Sequence, residues 1–425
     1  MKVLVVGGGI AGISTALSLN QIGVDVRLFE SAPEFKALGV GINLQPNAVR
    51  ELMDMGFGRD LEATGVSSST LSYYNRHGQL IHTEARGRSA GYRWPQYSVH
   101  RGELTSLLWR AAVARLGLDN ILVGHHLTSF AQDANSVTAS FIDRRTDQIV
   151  AIEQGDVLVG ADGIHSSVRK ALYPTEGPPR YSGIRIWRAA MEMDGFLDGS
   201  TKIVVGSSKQ WFIAYPIGRA AGAEHRLLVN WLATQKAPGN LPPRADWNKE
   251  VRKDEFDHLF ANWNFPWLDI PRMIADSPAV YEFPQCDRDP IPQWSFGRVT
   301  LVGDAAHPMQ PIGAQAGSQA ILDARVFARA IHAESSVTSA LMKYETERLP
   351  AMNAVVLANR EYGAERILDI VEDRAPNGFH RIEDIIAPED IIKITESYRQ
   401  KAGFDLSGLN SASSVLGPEF TKRNA

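Results

Sequence analysis

Among 425 residues there is one cysteine, Cys286. A lone thiol forms no intrachain disulfide and builds no cysteine-based metal site, which fits a reducing compartment. Charge of one sign is also missing. The 44 Lys and Arg against 48 Asp and Glu leave a formal charge of −4, too little for nucleic-acid or membrane-surface electrostatics. No apolar run reaches the ~20 residues of a membrane span. Val3 to Leu19 is the nearest candidate for a signal-peptide core, but only Lys2 precedes it and three glycines interrupt it, so it reads better as a folded element. These absences lead to the expectation of a cytoplasmic protein whose partners are small molecules rather than nucleic acid or membrane, with monomer and homodimer both left open.

What is present is a chain long enough for two or three domains. Lys2 to Val6 reads as a strand, Ile10 to Gln21 as a helix and Val24 to Glu30 as a second strand, a βαβ unit within thirty residues. Thr70 to Tyr74 and Gln79 to Thr83 flank Asn75-Arg76-His77-Gly78 as a hairpin. Arg101 to Leu116 reads as an amphipathic helix, and Val157 to Gly160 as an apolar strand. From about Tyr181 to Pro284 strand-like pieces dominate (Ile184 to Trp187, Trp211 to Tyr215, Leu227 to Trp231). Seven of the nine tryptophans fall between Trp187 and Trp294, which suggests a separate β-rich domain inserted into the first. Val299 to Val302 then returns to the opening pattern, a helix follows from about Gly317 to Ala333, and the chain ends in helices and a polar tail.

Gly7-Gly8-Gly9-Ile10-Ala11-Gly12 matches G-x-G-x-x-G between a strand and a helix. Gly7 allows the turn, Gly9 clears space for a pyrophosphate, and Gly12 lets the helix approach the sheet. The phosphate would sit at the helix N-terminus. Glu30, ending the second strand, is placed to accept hydrogen bonds from ribose hydroxyls. This motif alone does not separate NAD from FAD.

Two later motifs, Asp162-Gly163-Ile164-His165-Ser166-Ser167-Val168-Arg169 and Gly303-Asp304-Ala305-Ala306-His307-Pro308, follow the first in order and spacing. With them the chain resembles the single-component (class A) flavoprotein aromatic hydroxylases, the group of para-hydroxybenzoate hydroxylase. Leu38 to Pro46, Trp94 to Leu104 and Asp287 to Pro290 resemble its phenazine-modifying branch, the group of 5-methylphenazine-1-carboxylate 1-monooxygenase. The resemblance implies an α/β fold: a Rossmann-like FAD-binding domain (1–69, 98–180 and 285–360), an inserted β-rich substrate domain (70–97 and 181–284), and C-terminal helices with a polar tail (361–425).

It also implies FAD as cofactor, with NADH or NADPH as transient reductant. Reduced flavin and O2 give a C4a-hydroperoxide in that family, which hydroxylates an aromatic or heteroaromatic ring, here a phenazine- or pyridine-type carboxylate. A Baeyer–Villiger oxygenase, a halogenase and a non-catalytic FAD-fold binding protein are the alternatives. Trp263-Asn264-Phe265-Pro266-Trp267 does not fit the Trp-x-Trp-x-Ile signature of halogenases.

By the same resemblance the FAD contacts would come from Gly7, Gly9, Ala11, Gly12 and Glu30, from Gly39, Val40 and Gly41 beside the ring, and from Arg101, Leu127 and Asp162. Asp304 would hold the ribityl chain, and the loop of Pro311, Gly313, Ala314 and Gln315 would face the flavin. Ala314 and Ala316 depart from the family's denser glycines. Trp187, Tyr215, Trp231 and Met309 are the expected substrate lining. Arg185 and Arg188 could meet a substrate carboxylate but read more simply as strand-surface arginines. No residue need act as a nucleophile, and no metal is expected. His125 and His126, adjacent on a strand, point to opposite faces.

Overall fold

The protein is described from a computed structural model covering residues 1–36, 39–219, 226–240, 242 and 248–417. Leu38 and the end of the expected polar tail lie outside the described residues. Five parallel strands form the first sheet, in the order Val299–Leu301, Val157–Gly160, Lys2–Val6, Asp25–Glu30, Ile121–Val123. On its central strand Val3, Leu4 and Val5 are wholly buried, as a parallel strand covered on both faces requires. The helix Ile10–Gln21 packs against two others, Arg101–Leu116 and Ala316–Ala333. A three-stranded antiparallel sheet (His126–Gln132, Val137–Asp143, Gln148–Gly155) joins the same core. Phe141 stacks there on Phe29 with ring centroids 4.1 Å apart.

The second body is an eight-stranded sheet. Its order is Lys249–Val251, Val280–Asp287, Arg180–Asp194, Arg226–Lys236, Gln210–Arg219, Thr201–Ser207, Thr70–Tyr74, Leu80–Ala85. The Thr70 hairpin therefore joins the later strands, through a parallel pairing with Thr201–Ser207. The reading of Ile184 to Trp187 as a strand was too short, and Thr201–Ser207 and Val280–Asp287 were not foreseen.

Register decides what each face of this sheet carries. Trp187 lies opposite Ala233, and Trp231 lies opposite both Ala189 and Ala214. These residues, with Phe212, share one face and pack on Phe256, Phe260 and Met273. Ile186, Arg188, Ile213, Tyr215 and Leu232 alternate onto the other, which looks toward the parallel sheet. Further along, that second face is closed by Ile312 and by Ile367 and Leu368 of the helix Arg366–Arg374. The C-terminal helices Val337–Arg360 and Pro388–Lys401 complete the packing. Among the described residues, no helix is long and apolar enough to cross a membrane.

Candidate cofactor and substrate cleft

The glycine turn after Lys2–Val6 shows why each position is small. A Cβ on Gly12 would lie 1.8 Å from the Gly7 carbonyl oxygen, so this glycine sets the distance between helix and turn. A Cβ on Gly9 would meet nothing within 4 Å, and Gly9, Ile10 and Ala11 line an open cleft. Free space above a helix N-terminus is what a pyrophosphate needs. Glu30 turns back toward the loop. Its carboxylate accepts from the Gly8 N–H (2.7 Å) and the Ala32 N–H (2.7 Å), which leaves further acceptor positions for a ribose.

The second and third motifs meet. Asp162 accepts from the Ser166 hydroxyl and from the Ser167 N–H at 2.6 Å, so its carboxylate fastens the start of the helix Ser167–Leu172. Its neighbours Ala161 and Gly163 line the cleft. Arg169, buried, donates to the carbonyls of Ala305 (3.1 Å) and Ala306 (2.7 Å), tying the Asp162 motif to the Asp304 motif. Asp323 does the same from below. It accepts from the Gly303 N–H (2.9 Å) and from Arg348 Nε (2.7 Å), and lies 2.5 Å from His307 Nε2. Burial pushes its pKa up, but His307 and Arg348 more than offset this and hold it at about 2. Sequence reading gave neither Arg169 nor Asp323 a role.

Asp304 itself is held out into the cleft. It takes no hydrogen bond from a described residue, is reached by solvent, and has its pKa raised by the protein packed around it. Arg101 is also exposed at the cleft wall, and its charge acts on Asp304. Gly313 and Ala314 follow with left-handed backbone (φ 62° and 54°). A Cβ on Gly313 would lie 2.0 Å from the Tyr398 hydroxyl, so glycine is obligatory there. Gln45 Nε2 (3.2 Å) and Gln315 Nε2 (3.1 Å) donate to the Gly313 carbonyl. The helix Ala316–Ala333 then begins at the cleft with no side-chain cap, leaving its first N–H groups for a ligand with negative charge.

The cleft between the two sheets holds about 330 Å³. A family model described as FAD binding domain matches residues 1–250 and 284–359. The chain belongs to that family. It is similar to the phenazine 1,6-dicarboxylic acid hydroxylase PhzS of Lysobacter antibioticus, 39% identical over 362 residues, 84% of this chain and 89% of that one. The aurachin C monooxygenase/isomerase of Stigmatella aurantiaca is 32% identical over 85% of this chain and 89% of its own. In fold it matches HpxO of Klebsiella pneumoniae, solved with FAD and uric acid, at a TM-score of 0.74 and 24% identity over 96% of this chain and 97% of the other. This FAD-dependent aromatic monooxygenase has the fold of the class A flavoprotein hydroxylases.

The cleft suits FAD by its own geometry. It offers the open space at Gly9, the unpartnered Asp304 carboxylate and an uncapped helix start in one continuous wall. Gly41 and Arg101 lie along that wall with Pro311, Ala314 and Gln315. Arg101 N–H bonds the Val40 carbonyl (2.8 Å), and the Arg101 side chain packs beside Gly39. Leu127 is buried opposite Phe141 and lines no part of the cleft.

On the substrate side the expectation is corrected. Of the four residues named, Tyr215 alone lines the cleft. Trp187 stacks on Phe256 (4.6 Å), and Trp231 donates to the Ser277 hydroxyl (2.8 Å), both behind the sheet. They were grouped with Tyr215 as aromatic strand residues, but Trp187 and Trp231 fall in the opposite alternation. Met309 is buried in the core of the parallel-sheet side. Arg188 is corrected the other way. It lines the cleft, donates Nη2 to the Gly41 carbonyl (2.9 Å), and keeps Nε buried without a partner. Burial lowers its pKa. Arg185 is the surface arginine, 4.0 Å from Glu282. Among the described residues no cluster of His, Cys, Asp or Glu could hold a metal ion.

Proposed function

We propose that this monooxygenase uses NADH or NADPH and O2 to hydroxylate a planar aromatic or heteroaromatic carboxylate in the cleft. The observation that carries this is the contrast of its two walls. One offers Gly9, Asp304 and a helix N-terminus. The other offers Ile186, Ile213, Leu232, Tyr215 and the half-buried Arg188, which forms no ion pair with a described carboxylate. A flat apolar wall with one guanidinium suits a fused or single ring bearing a carboxylate. The name of the Lysobacter relative, a phenazine dicarboxylic acid hydroxylase, supports the same class.

Bound FAD would supply the redox chemistry, passing electrons from the nicotinamide to O2. Gly9, Asp304 and Arg101 would hold its pyrophosphate and ribityl chain, with Glu30 at the ribose. The first N–H groups of Ala316–Ala333 would stabilise negative charge at the ring edge. The aliphatic side chains of the sheet wall would exclude water, and Arg188 would orient the ring through its carboxylate. Purified protein should be yellow, and phenazine, pyridine and benzoate carboxylates should be assayed for NAD(P)H oxidation and hydroxylated product. Stimulated oxidation with product is expected; peroxide alone from every compound would refute the reading. Asp304→Ala should lose FAD affinity, and unchanged flavin occupancy would refute the role given to that carboxylate.

A further inference from the structure

Behind the cleft, the turn at Gly313 and Ala314 bounds a second, narrow cavity of about 20 Å³, room for a single water. Its lining is polar for an interior space: Tyr73, Glu84, Arg86, Lys202, Glu365 and Tyr398. Three lining residues each bury an atom that finds no hydrogen-bond partner: Gln45 Oε1, Arg86 Nε and Glu365 Oε2. A buried polar atom left unpaired is costly, and a water touching two to four such groups is the usual remedy.

This chamber is not isolated. Lys202 and Ala314 form part of its wall and also part of the cleft wall. Tyr398 lines both the chamber and an open groove of about 390 Å³ on the far side. Lys202 therefore stands between cleft and chamber, and Tyr398 between chamber and groove. Lys202 Nζ lies 5.4 Å from the centroid of the Tyr215 ring, and Glu365 acts on it through charge without a direct hydrogen bond. Tyr398 donates its hydroxyl proton to Asn359 Oδ1 at 2.8 Å.

The hydroxylation consumes a proton. In balance, R–H, O2, NAD(P)H and one proton give R–OH, NAD(P)+ and water. The O–O bond breaks, a C–O bond forms, the nicotinamide is oxidised, and one proton enters from solvent each turnover. Lys202, shared by the cleft and the chamber, offers that proton a polar route past the aliphatic sheet wall.

We propose that Lys202 and Glu365, bridged by a water in the chamber, form the relay that carries this proton into the cleft, with Tyr398 at its outer end. Lys202 in its ammonium form donates toward the cleft and recovers a proton from the chamber water and Glu365. Burial lowers the Lys202 pKa to about 8 and raises that of Glu365, bringing donor and acceptor closer. The other groups facing Lys202 are Glu84 and Arg86 across the chamber, with Tyr73 and Tyr398 in its wall and Tyr215 on the cleft side. Arg399 is taken up by Glu84.

The proposal rests on the hydroxylase reading, so its test has two arms. In the FAD-loaded protein, Lys202 is titrated by lysine side-chain NMR and assigned by its loss in Lys202→Met. It should titrate near pH 8, and Glu365→Gln should move it lower. A Lys202 in the ordinary lysine range that ignores Glu365→Gln overturns the relay. With a hydroxylated compound, wild-type turnover should fall as pH rises through about 8. Lys202→Met should lower kcat by on the order of 10²-fold and remove that pH dependence. Wild-type kcat and pH profile in the variant overturn the relay. If no compound is hydroxylated by the wild type, the hydroxylase reading falls and the NMR arm alone decides the coupling of Lys202 to Glu365.

Discussion

On the parallel-sheet wall of the cleft, what faces the ligand is largely backbone: the Gly9 turn, the start of Ala316–Ala333, and one carboxylate, Asp304. On the opposite wall it is side chains of a twisted sheet: Ile186, Arg188, Ile213, Tyr215 and Leu232. The first wall is specified locally, because a turn that exposes N–H groups needs glycine at fixed offsets. The second is specified by pairing between distant strands, because a shift of one residue exchanges its two faces. Cofactor recognition and substrate recognition thus depend on different length scales of the same chain.

The largest expected effect tests the faces of that sheet. Trp231 is wholly buried behind it, stacked near Phe212 and bonded to Ser277. Trp231→Ala should cost about 3–5 kcal/mol of stability, read by chemical denaturation. Arg188→Ala should instead weaken binding of a carboxylate substrate by about 2 kcal/mol or more, roughly 30-fold, with FAD retained. A Trp231→Ala protein of normal stability whose sole defect is in substrate affinity would overturn the assignment of faces.

The glycine turn offers the matching contrast on the other wall. Gly12→Ala places a methyl 1.8 Å from a backbone oxygen and should destabilise the apoprotein by about 1–3 kcal/mol or more. Gly9→Ala meets open space. It should leave apoprotein stability within about 0.5 kcal/mol while weakening FAD binding, measured by flavin titration. Equal loss of stability in both variants would mean that Gly9 is a packing residue and not a place where a phosphate approaches.

These contrasts explain what could be read from the sequence. The βαβ opening was legible because it depends on residues a few positions apart, whereas Asp304 and the Pro311–Gln315 turn were singled out by the family resemblance of short local motifs. Trp187, Trp231 and Met309 misled because aromatic and large apolar residues mark a packed surface without saying which one. Arg188 was passed over because a strand arginine is usually solvated, and its place in the cleft wall follows only once Gly41 approaches its guanidinium. Asp323 and Arg169 were invisible as site residues because they act from helices onto a loop 16–20 and 136–137 residues away. No short motif encodes the first of these partnerships.

The smallest effect concerns Ala314, where the chain departs from its family's glycines. It holds φ at 54° directly after Gly313 at 62°, a conformation that costs a side-chain-bearing residue about 1–2 kcal/mol. The cost is borne because Gly313 is fastened on both sides, its carbonyl by Gln45 and Gln315 and its N–H by Glu365. Ala314→Gly removes the strain but adds freedom to the unfolded chain, worth about 0.4–1 kcal/mol in the opposite direction. A net stabilisation of about 0–1.6 kcal/mol follows, visible as a small rise in the apoprotein's Tm. A fall in Tm would show that the Ala314 methyl contributes packing at the junction of cleft and chamber, making this stretch of the backbone wall depend on a side chain after all.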